Sequence, residues 1–436
     1  MNIIGLDIGT TTISAVVIDG FTKKQIDYIT VKNESFLPSK NSWERIQDAD
    51  IIAKTCWEVV TSLSSKHAPI EAIGLTGQMH GILYTDAFGH AVSPLYTWQD
   101  GRGNLSVDGN ITFAEMLSEK TDYPVFSGYG LVTHAWNLSY GIIPNSANHL
   151  TTIGAYVGMK LTGSATPILH VSDAASLGFF SCSINTFDSD ALATAGIKPE
   201  IFPFVSSDSI IGLFDGHIPV SVSIGDNQAS FIGSVSNVKT DALLNLGTGG
   251  QISVYSETPI LCRDCETRPL GKSGYLIVGA SLCGGRAYAI LENFFRQCCQ
   301  FCGKEADSVY EFMNAISHKP LNNAPDFQTL FAGKRFDNSA QASITGLTEE
   351  NFTPHGLVTS VLHGMANELY GYYCSMLPHL TTKPLQLVCS GNTVQKVPVL
   401  RSILSNLFGI PAVVSTNKEE AATGAAFFAY KIISES

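Results

Sequence analysis

Positive charge is scarce in this sequence and nowhere concentrated. The 26 Lys and Arg residues stand against 38 Asp and Glu, a net charge of -12, and no Lys/Arg run occurs. That leaves no electrostatic footprint for nucleic acid or an anionic membrane, so any anionic ligand has to be held by local groups. Charged residues of both signs make up only 15% of the chain against 44% hydrophobic ones, which excludes bulk disorder. An uninterrupted apolar run of about 18 residues, the length a spanning helix needs, is also missing. The opening MNIIGLDIGT lacks a basic stretch and reaches Asp7 after few apolar positions, so it does not read as a signal peptide, and a cytoplasmic location is expected. Nor is there a G-x-x-x-x-G-K-[ST] loop, which excludes the Walker type of phosphate cradle.

Cysteine, by contrast, is present ten times. In a large chain expected in a reducing compartment, these thiols are expected reduced and mostly buried. Two groups, CRDC (Cys262, Cys265) and CCQFC (Cys298, Cys299, Cys302), could together hold zinc. The second continues a helical pattern, however, and one helix face can bury Cys298 and Cys302 at i, i+4, so the structural reading is favoured.

At 436 residues, and ~100–200 per domain, two domains are expected, with the boundary near 218–224. Strands 2–8 and 13–19 read as a hairpin, and GLDIGTTTISAVVI (5–18) is echoed by LLNLGTGGQISVYS (243–256), matching Asp7 with Asn245, Gly9 with Gly247 and Thr10 with Thr248. Helical spacing covers 45–66, 133–143, 285–301, 355–377 and 397–409; strand patterns cover 71–77, 80–86, 275–280, 385–391 and 411–416. Such interleaving predicts an α/β architecture built from duplicated domains.

A strand ending in Gly-Thr exposes successive backbone N–H groups and hydroxyls suited to phosphate oxygens. DIGTTT and NLGTGG are two such turns. VCSGNTVQKVPVLRSILSNLFG (388–409) is a strand into a small-residue turn into a helix, which lets backbone approach a nucleotide. EEAATGAAFFAY (419–430) places small residues on successive helix turns, a close-packing pattern. Between 74 and 102, Gln78, His80, Gln99, Asp100 and Arg102 supply donors and acceptors of the kind that read hydroxyl groups, and Trp98 offers an apolar face to a sugar. His80 alone reads as a satisfied core histidine; the cluster argues for a site. Finally, SIGDNQASF sets Asp226 at the end of an apolar strand, where a carboxylate has to be bonded, neutralised or turned to a cleft.

Taken together, LDIGTTTISAVVID, GQMHGIL, YTWQDGR, SIGDNQASF, NLGTGG and EEAATGAA resemble, in order and spacing, the FGGY carbohydrate kinases, over essentially the whole chain. TWQDGR, SGYG (127–130), SDAASLGFF (172–180) and GDNQAS look closer to the sedoheptulokinase branch than to xylulokinases. The resemblance implies duplicated actin-like (ribonuclease H-like) ATPase domains, 1–222 and 223–436, with a catalytic cleft between them. It further implies transfer of the γ-phosphoryl group of MgATP to a terminal ketose hydroxyl, sedoheptulose by preference and xylulose as the alternative. The more distant alternative is a non-kinase actin-like nucleotide-binding protein. By resemblance Asp226 is the general base and Asn227 orients the sugar with Gln78, Met79, His80, Trp98, Asp100 and Arg102. Gly9, Thr10, Thr11, Thr248 and Gly249 line the phosphates, Gly284 and Gly391 the adenosine, and Asp7 holds Mg²⁺. Many relatives carry Lys or Arg where this chain has Ser14, and Asp where it has Ala155, so a cationic phosphate contact and a structural hydrogen bond are expected to be missing. The partners implied are the ketose and MgATP, without nucleic acid or membrane; monomer and homodimer both stay open.

Overall fold

Along 2–8 and 12–19 the side chains alternate between two apolar faces, and each face finds a helix. In the computed structural model the chain is described except at Arg263, Pro320, Asn322, Arg335, Phe336, Asn338, Thr416 and Ser436. Residues Ile4, Leu6, Ile8, Ile13, Ala15 and Val17 pack against the helices Ala49–Lys66 and Ile153–Thr162. Ile3, Val16 and Ile18, on the opposite face, pack against Ala422, Ala426 and Ala429 of the last helix, Glu420–Glu435.

The first sheet comprises β1 (Asn2–Ile8), β2 (Thr12–Asp19), β3 (Gln25–Lys32), β4 (Ile70–Gly77), β5 (Ile210–Phe214) and β6 (Ile218–Gly225), in the order β5-β6-β4-β1-β2-β3. The second comprises β7 (Asp241–Leu246), β8 (Gly250–Ser256), β9 (Cys265–Pro269), β10 (Tyr275–Ser281), β11 (Gln386–Ser390) and β12 (Ala412–Val414), in the order β9-β10-β8-β7-β11-β12. The run β3-β2-β1-β4-β6 repeats as β10-β8-β7-β11-β12, with antiparallel pairs at β1/β2, β2/β3, β7/β8 and β8/β10 and parallel pairs at β1/β4, β4/β6, β7/β11 and β11/β12. Asp7 and Asn245 each occupy the penultimate position of the matching strands β1 and β7. The echo in the sequence is therefore an echo in topology.

Two compact units result: Met1–Gly233 with Pro269–Ser273 and Asn417–Ser436, and Ser234–Arg268 with Gly274–Thr416. This differs from the expected division at 222/223, which put Asp226 with the second half. β6 pairs in parallel with β4, so the helix that begins at Asp226 stays with the first sheet, and the C-terminal helix returns to it.

That return needs small residues on both partners. A Cβ on Gly5 would lie 1.9 Å from the Ala422 carbonyl oxygen, and one on Gly74 1.9 Å from that of Ala425. The small-residue pattern of 419–430 is thus a packing feature, as read from the sequence.

The expected elements form with local shifts. The helix expected over 45–66 starts only at Ala49, because Asp48 caps it by accepting from the N–H groups of Asp50 and Ile51. The helix over 133–143 forms at Gly130–Ser139 and the strand over 80–86 shrinks to Leu83–Thr85. Thr416, the last residue of the strand expected over 411–416, lies outside the described residues. All ten cysteines are free, but only Cys56, Cys283 and Cys389 are buried. Cys298 and Cys302 are exposed and it is Cys299 that packs on the second core, so the expected burial of the i, i+4 pair is corrected. The helix buries Ala287, Tyr288, Leu291 and Glu292 and then runs on past the core, so Cys298, two turns beyond Leu291 on the same face, is exposed.

Among the described residues no helix is long and apolar enough to cross a membrane. Gly74→Ala is expected to destabilise the fold by at least about 2 kcal/mol, because its clash is with backbone. Gly371→Ala, in an exposed helical position with nothing within 4 Å of the added carbon, should instead stabilise by up to about 1 kcal/mol. Urea unfolding of both variants measures the contrast.

Candidate active site

The parallel register sets Ile8, Gly77 and Gly225 abreast. The chain leaving each strand therefore emerges at one edge of the first sheet: Gly9-Thr10-Thr11 after β1, Gln78-Met79-His80 after β4 and Asp226 after β6. The carboxyl edge of parallel strands is where open α/β sheets bind ligands.

The first turn is braced by neutral amides. Gln47 Nε2 donates to the Thr10 carbonyl (2.9 Å), Gln78 Nε2 donates to Gln47 Oε1 (2.9 Å), and Thr10 Oγ1 donates to Gln78 Oε1 (3.3 Å). Trp98 Nε1 donates to the same hydroxyl (3.0 Å), and Asn33 Nδ2 to the Gly9 carbonyl (2.9 Å). Gln78 and Thr10 are thereby spent on holding the loop, whereas Thr11 and about half of the Trp98 surface (47%) face solvent.

Met79 is buried with its thioether against Gly225, directly before Asp226. His80 adopts a left-handed backbone conformation (φ 72°), a strained region for a residue with a side chain, and stacks on Tyr129 at 4.7 Å. Its Nδ1–H donates to the Ser176 carbonyl (2.6 Å) and its N–H to Ser176 Oγ (3.1 Å). Gly128, beside Tyr129, permits the close passage of Trp98, since a Cβ there would lie 2.0 Å from the Trp98 carbonyl oxygen. SGYG and TWQDGR thus meet beside His80.

Asp226 is partly exposed at the start of its helix. Beside it, Asn227 Oδ1 is buried without a hydrogen-bond partner among the described residues. Burial, and then the charges of Asp226 and Glu419, push Asp7 up to about 8. Asp173, buried and held by Thr152 Oγ1 (3.3 Å), is raised well above the carboxylate range by burial and by Asp226.

Where a cation was expected to be missing, Ser14 Oγ donates to Thr30 Oγ1 (3.2 Å), which donates to Glu419 Oε1 (3.1 Å). Ala155 sits in an apolar cluster with its N–H capped by Thr152 Oγ1 (3.4 Å). Among the described residues no group of three or more His, Cys, Asp or Glu could hold a metal ion. A carboxyl raised by burial and by neighbouring acids would be drawn back to its ionised form by a hard cation, and a single such ligand fits one that takes its remaining ligands from phosphate and water, as Mg²⁺ does.

The sequence reading used SDAASLGFF only for its resemblance and gave no role to the segment that anchors this edge, HVSDAAS. Ser172 Oγ accepts from the Gly225 N–H (2.9 Å) and pairs with His170 Nδ1 (2.7 Å), which also accepts from the Ser172 N–H (3.2 Å). The proton of His170 thus lies on Nε2, 3.6 Å from Asp208 Oδ1. The available signal was three hydroxyl or acidic residues within a short apolar stretch.

Asp100 and Arg102 are corrected outright as exposed hydroxyl readers, since each is 1% exposed. Arg102 Nε and Nη2 grip the two Asp100 oxygens (2.6 and 3.1 Å), Nη1 bonds Asn137 Oδ1, and the guanidinium lies over Tyr96 (4.2 Å), Trp136 and Trp43. The planar fork matches the carboxylate and leaves neither partner for a sugar.

In the second unit the glycines expected to meet a nucleotide converge. Gly285 N–H donates to the Gly247 carbonyl (2.9 Å) and Arg286 N–H to that of Thr248 (3.1 Å). A Cβ on Gly284 would lie 2.4 Å from Gly249, and one on Gly391 (φ 90°) 2.6 Å from the Leu246 carbonyl oxygen. Thr248 is exposed at the tip.

Comparison with known proteins matches both halves: the N-terminal domain of the FGGY family of carbohydrate kinases over residues 2–233 and its C-terminal domain over 242–431. The chain belongs to the FGGY family of carbohydrate kinases. It is 26% identical to a sedoheptulokinase from Mus musculus, covering 97% of this chain and 96% of the relative. Its fold matches a gluconate kinase (TM-score 0.84) and a ligand-bound xylulose kinase (0.83) from Lactobacillus acidophilus, each 21% identical and covering 100% of this chain and 90% of the other. The two-domain actin-like architecture is therefore that of a sugar kinase, and the reading as a non-kinase nucleotide-binding protein is set aside.

For this kinase, Arg102→Met is expected to cost about 3–5 kcal/mol, because it strands a buried carboxylate. Calorimetry should register that loss while the sugar KM of the folded enzyme changes little. Asp208 gives a pH-dependent counterpart. Burial alone would raise it, but the His170 contact, the Lys272 N–H (3.0 Å) and the Lys431 ammonium (3.2 Å) outweigh burial and hold it at about 2. A depressed carboxylate stabilises the fold above its unfolded pKa, here by about 2 kcal/mol. That increment is expected to disappear as pH falls from about 4 through about 2. Comparing urea midpoints of the wild type and Asp208→Asn across that window should show the difference vanish at the acid end.

Proposed function

We propose that this kinase transfers the γ-phosphoryl group of ATP to the terminal hydroxyl of a ketose, sedoheptulose by preference. Asp226 takes the proton from the attacking hydroxyl. The observation that carries this reading is that a partly exposed carboxylate stands at the same sheet edge as the Gly9–Thr11 turn and the His80–Trp98 surface. Positioning and charge neutralisation supply most of the rate in phosphoryl transfer, so fixed loops matter more than covalent chemistry.

In this account the backbone of Gly9 and Thr11 receives the phosphate tail, and Gln47, Gln78 and Trp98 keep that loop from shifting. Met79 and Ser172 hold Gly225, and with it the base. Asn227, with an unpaired buried oxygen, orients the sugar, and the exposed ring of Trp98 covers its C–H surface. Thr248, Gly249, Gly284 and Gly391 form the nucleotide arm on the second unit. Asp7 would hold hydrated Mg²⁺, whose chemistry when bound is to neutralise phosphate charge.

The preference for sedoheptulose rests on SGYG and TWQDGR, which pack together beside His80, and on the likeness to a sedoheptulokinase. Xylulose is the second reading, favoured by the fold match to a xylulose kinase. A site built to bond additional hydroxyls can discriminate strongly between the two sugars.

Asp226→Asn is expected to lower kcat by about 10²–10⁴ while nucleotide affinity, measured by titration calorimetry, stays near wild type. Retention of near-normal turnover would remove Asp226 as the base. Side-by-side kcat/KM values on sedoheptulose and xylulose decide the substrate.

A further inference from the structure

Cys262 and Cys265 lie in the second unit and are not among the residues given a part in phosphoryl transfer. Where the chain enters β9, the Cys265 N–H donates to the Cys262 carbonyl (3.5 Å), and Asp264 adopts a left-handed backbone (φ 62°). The two thiols are in hydrogen-bond contact. A third group meets them from the helix Pro354–Met376, since Ser375 Oγ lies 3.4 Å from Cys265 Sγ and also bonds Cys262. Both cysteines are partly exposed, and the adjoining Leu261 is 98% exposed, so a small molecule can reach them.

A metal is the weaker use of this cluster. Two thiols and a hydroxyl fall short of a tetrahedral thiolate or imidazole set, and no group of three ligating side chains occurs among the described residues.

We propose that Cys262 and Cys265 form a thiol–disulfide exchange site for low-molecular-weight aliphatic disulfides, with Cys262 as the attacking thiol and Cys265 as the resolving one. The Cys265 thiol, and after it Ser375, hold Cys262 below the ordinary thiol range against the opposing effects of burial and the Asp264 charge. Cys265 is raised, first by its bond to Cys262 and then by burial. The geometry gives the same order: Cys265 Sγ is held on the strand against the Tyr372 carbonyl (4.0 Å) and Ser375 Oγ (3.4 Å), whereas Cys262 adjoins the exposed Leu261, as suits a resolving and an attacking thiol.

The steps balance. Cys262 thiolate attacks one sulfur of the external disulfide; the S–S bond breaks and one thiolate leaves and takes a proton. Cys265 then loses its proton to solvent and attacks Cys262 Sγ, expelling the second thiolate. Two protein thiols are oxidised to one disulfide, and the external disulfide is reduced to two thiols. This chemistry does not rest on the kinase reading, and its test does not measure phosphoryl transfer.

The full-length chain is treated with oxidised glutathione at neutral pH, quenched by acid and peptide-mapped by mass spectrometry. The expected product is a Cys262–Cys265 bridge, two hydrogens lighter and without retained glutathione. It should form at least about tenfold faster than adducts on the exposed Cys298, Cys302 and Cys374. Cys265→Ser should stall with one glutathione on Cys262 at near the wild-type rate; Cys262→Ser should slow modification of Cys265 about tenfold. Bridging no faster than modification of the three exposed cysteines, or a first adduct on Cys265, overturns the proposal. Should a serine variant fail to fold, the wild-type map decides by the bridge and its relative rate, and Ser375→Ala, which keeps both thiols, should slow bridging about threefold; an unchanged rate there removes Ser375 as the supporting group.

Discussion

The register of three parallel strands carries the first unit's chemistry. Because β1, β4 and β6 end abreast at Ile8, Gly77 and Gly225, three unrelated stretches of sequence leave the sheet at one edge. The Gly-Thr turn, the QMH segment and the lone carboxylate come together without any long side chain having to reach. A slip of one residue in β6 would send Asp226 to the opposite face, since side chains alternate along a strand. The buried apolar faces on either side of the sheet make that slip costly. Packing against two sets of helices thus sets the position of the proposed base.

What lies around that edge is a trade between burial and polarity. The first turn is held by amides and an indole, neutral groups whose mutual hydrogen bonds are less costly to bury than charges. Charge is matched or opposed: Asp100 is gripped by Arg102, burial raises Asp173 well above the carboxylate range, and Asp208 is tied to a lysine and a backbone N–H. Asp7 stands apart, since burial and then the charges of Asp226 and Glu419 push it up to about 8. Ser14, where the resemblance led to the expectation of a missing cation, donates into a hydroxyl chain through Thr30 to Glu419.

Several residues show where sequence reading holds and where it stops. The Gly-Thr turns, Asp226 and the 419–430 stripe were legible because each depends on a local pattern: a strand ending in small residues, or small residues at helical spacing. Asp100 and Arg102 were read as ligands because their types and spacing suit hydroxyl recognition. Only the packing of Trp43, Tyr96 and Trp136 around the guanidinium reveals that the pair is sealed. Cys298 and Cys302 share a helix stripe with the buried Leu291, but how far along that helix the core reaches is set by packing between distant segments. Ser172, read only as part of a motif, was given no role because a serine has no reach of its own, and its importance comes from a Gly225 N–H distant in the chain.

By itself the sequence determined the duplicated α/β plan and the order of its turns, since alternation and turn chemistry act over a few residues. It also determined which carboxylate ends a strand. Tertiary structure alone decided which polar groups are spent on one another and where the units divide. Those outcomes depend on strand register and helix orientation, interactions between segments far apart in the chain that no local pattern encodes.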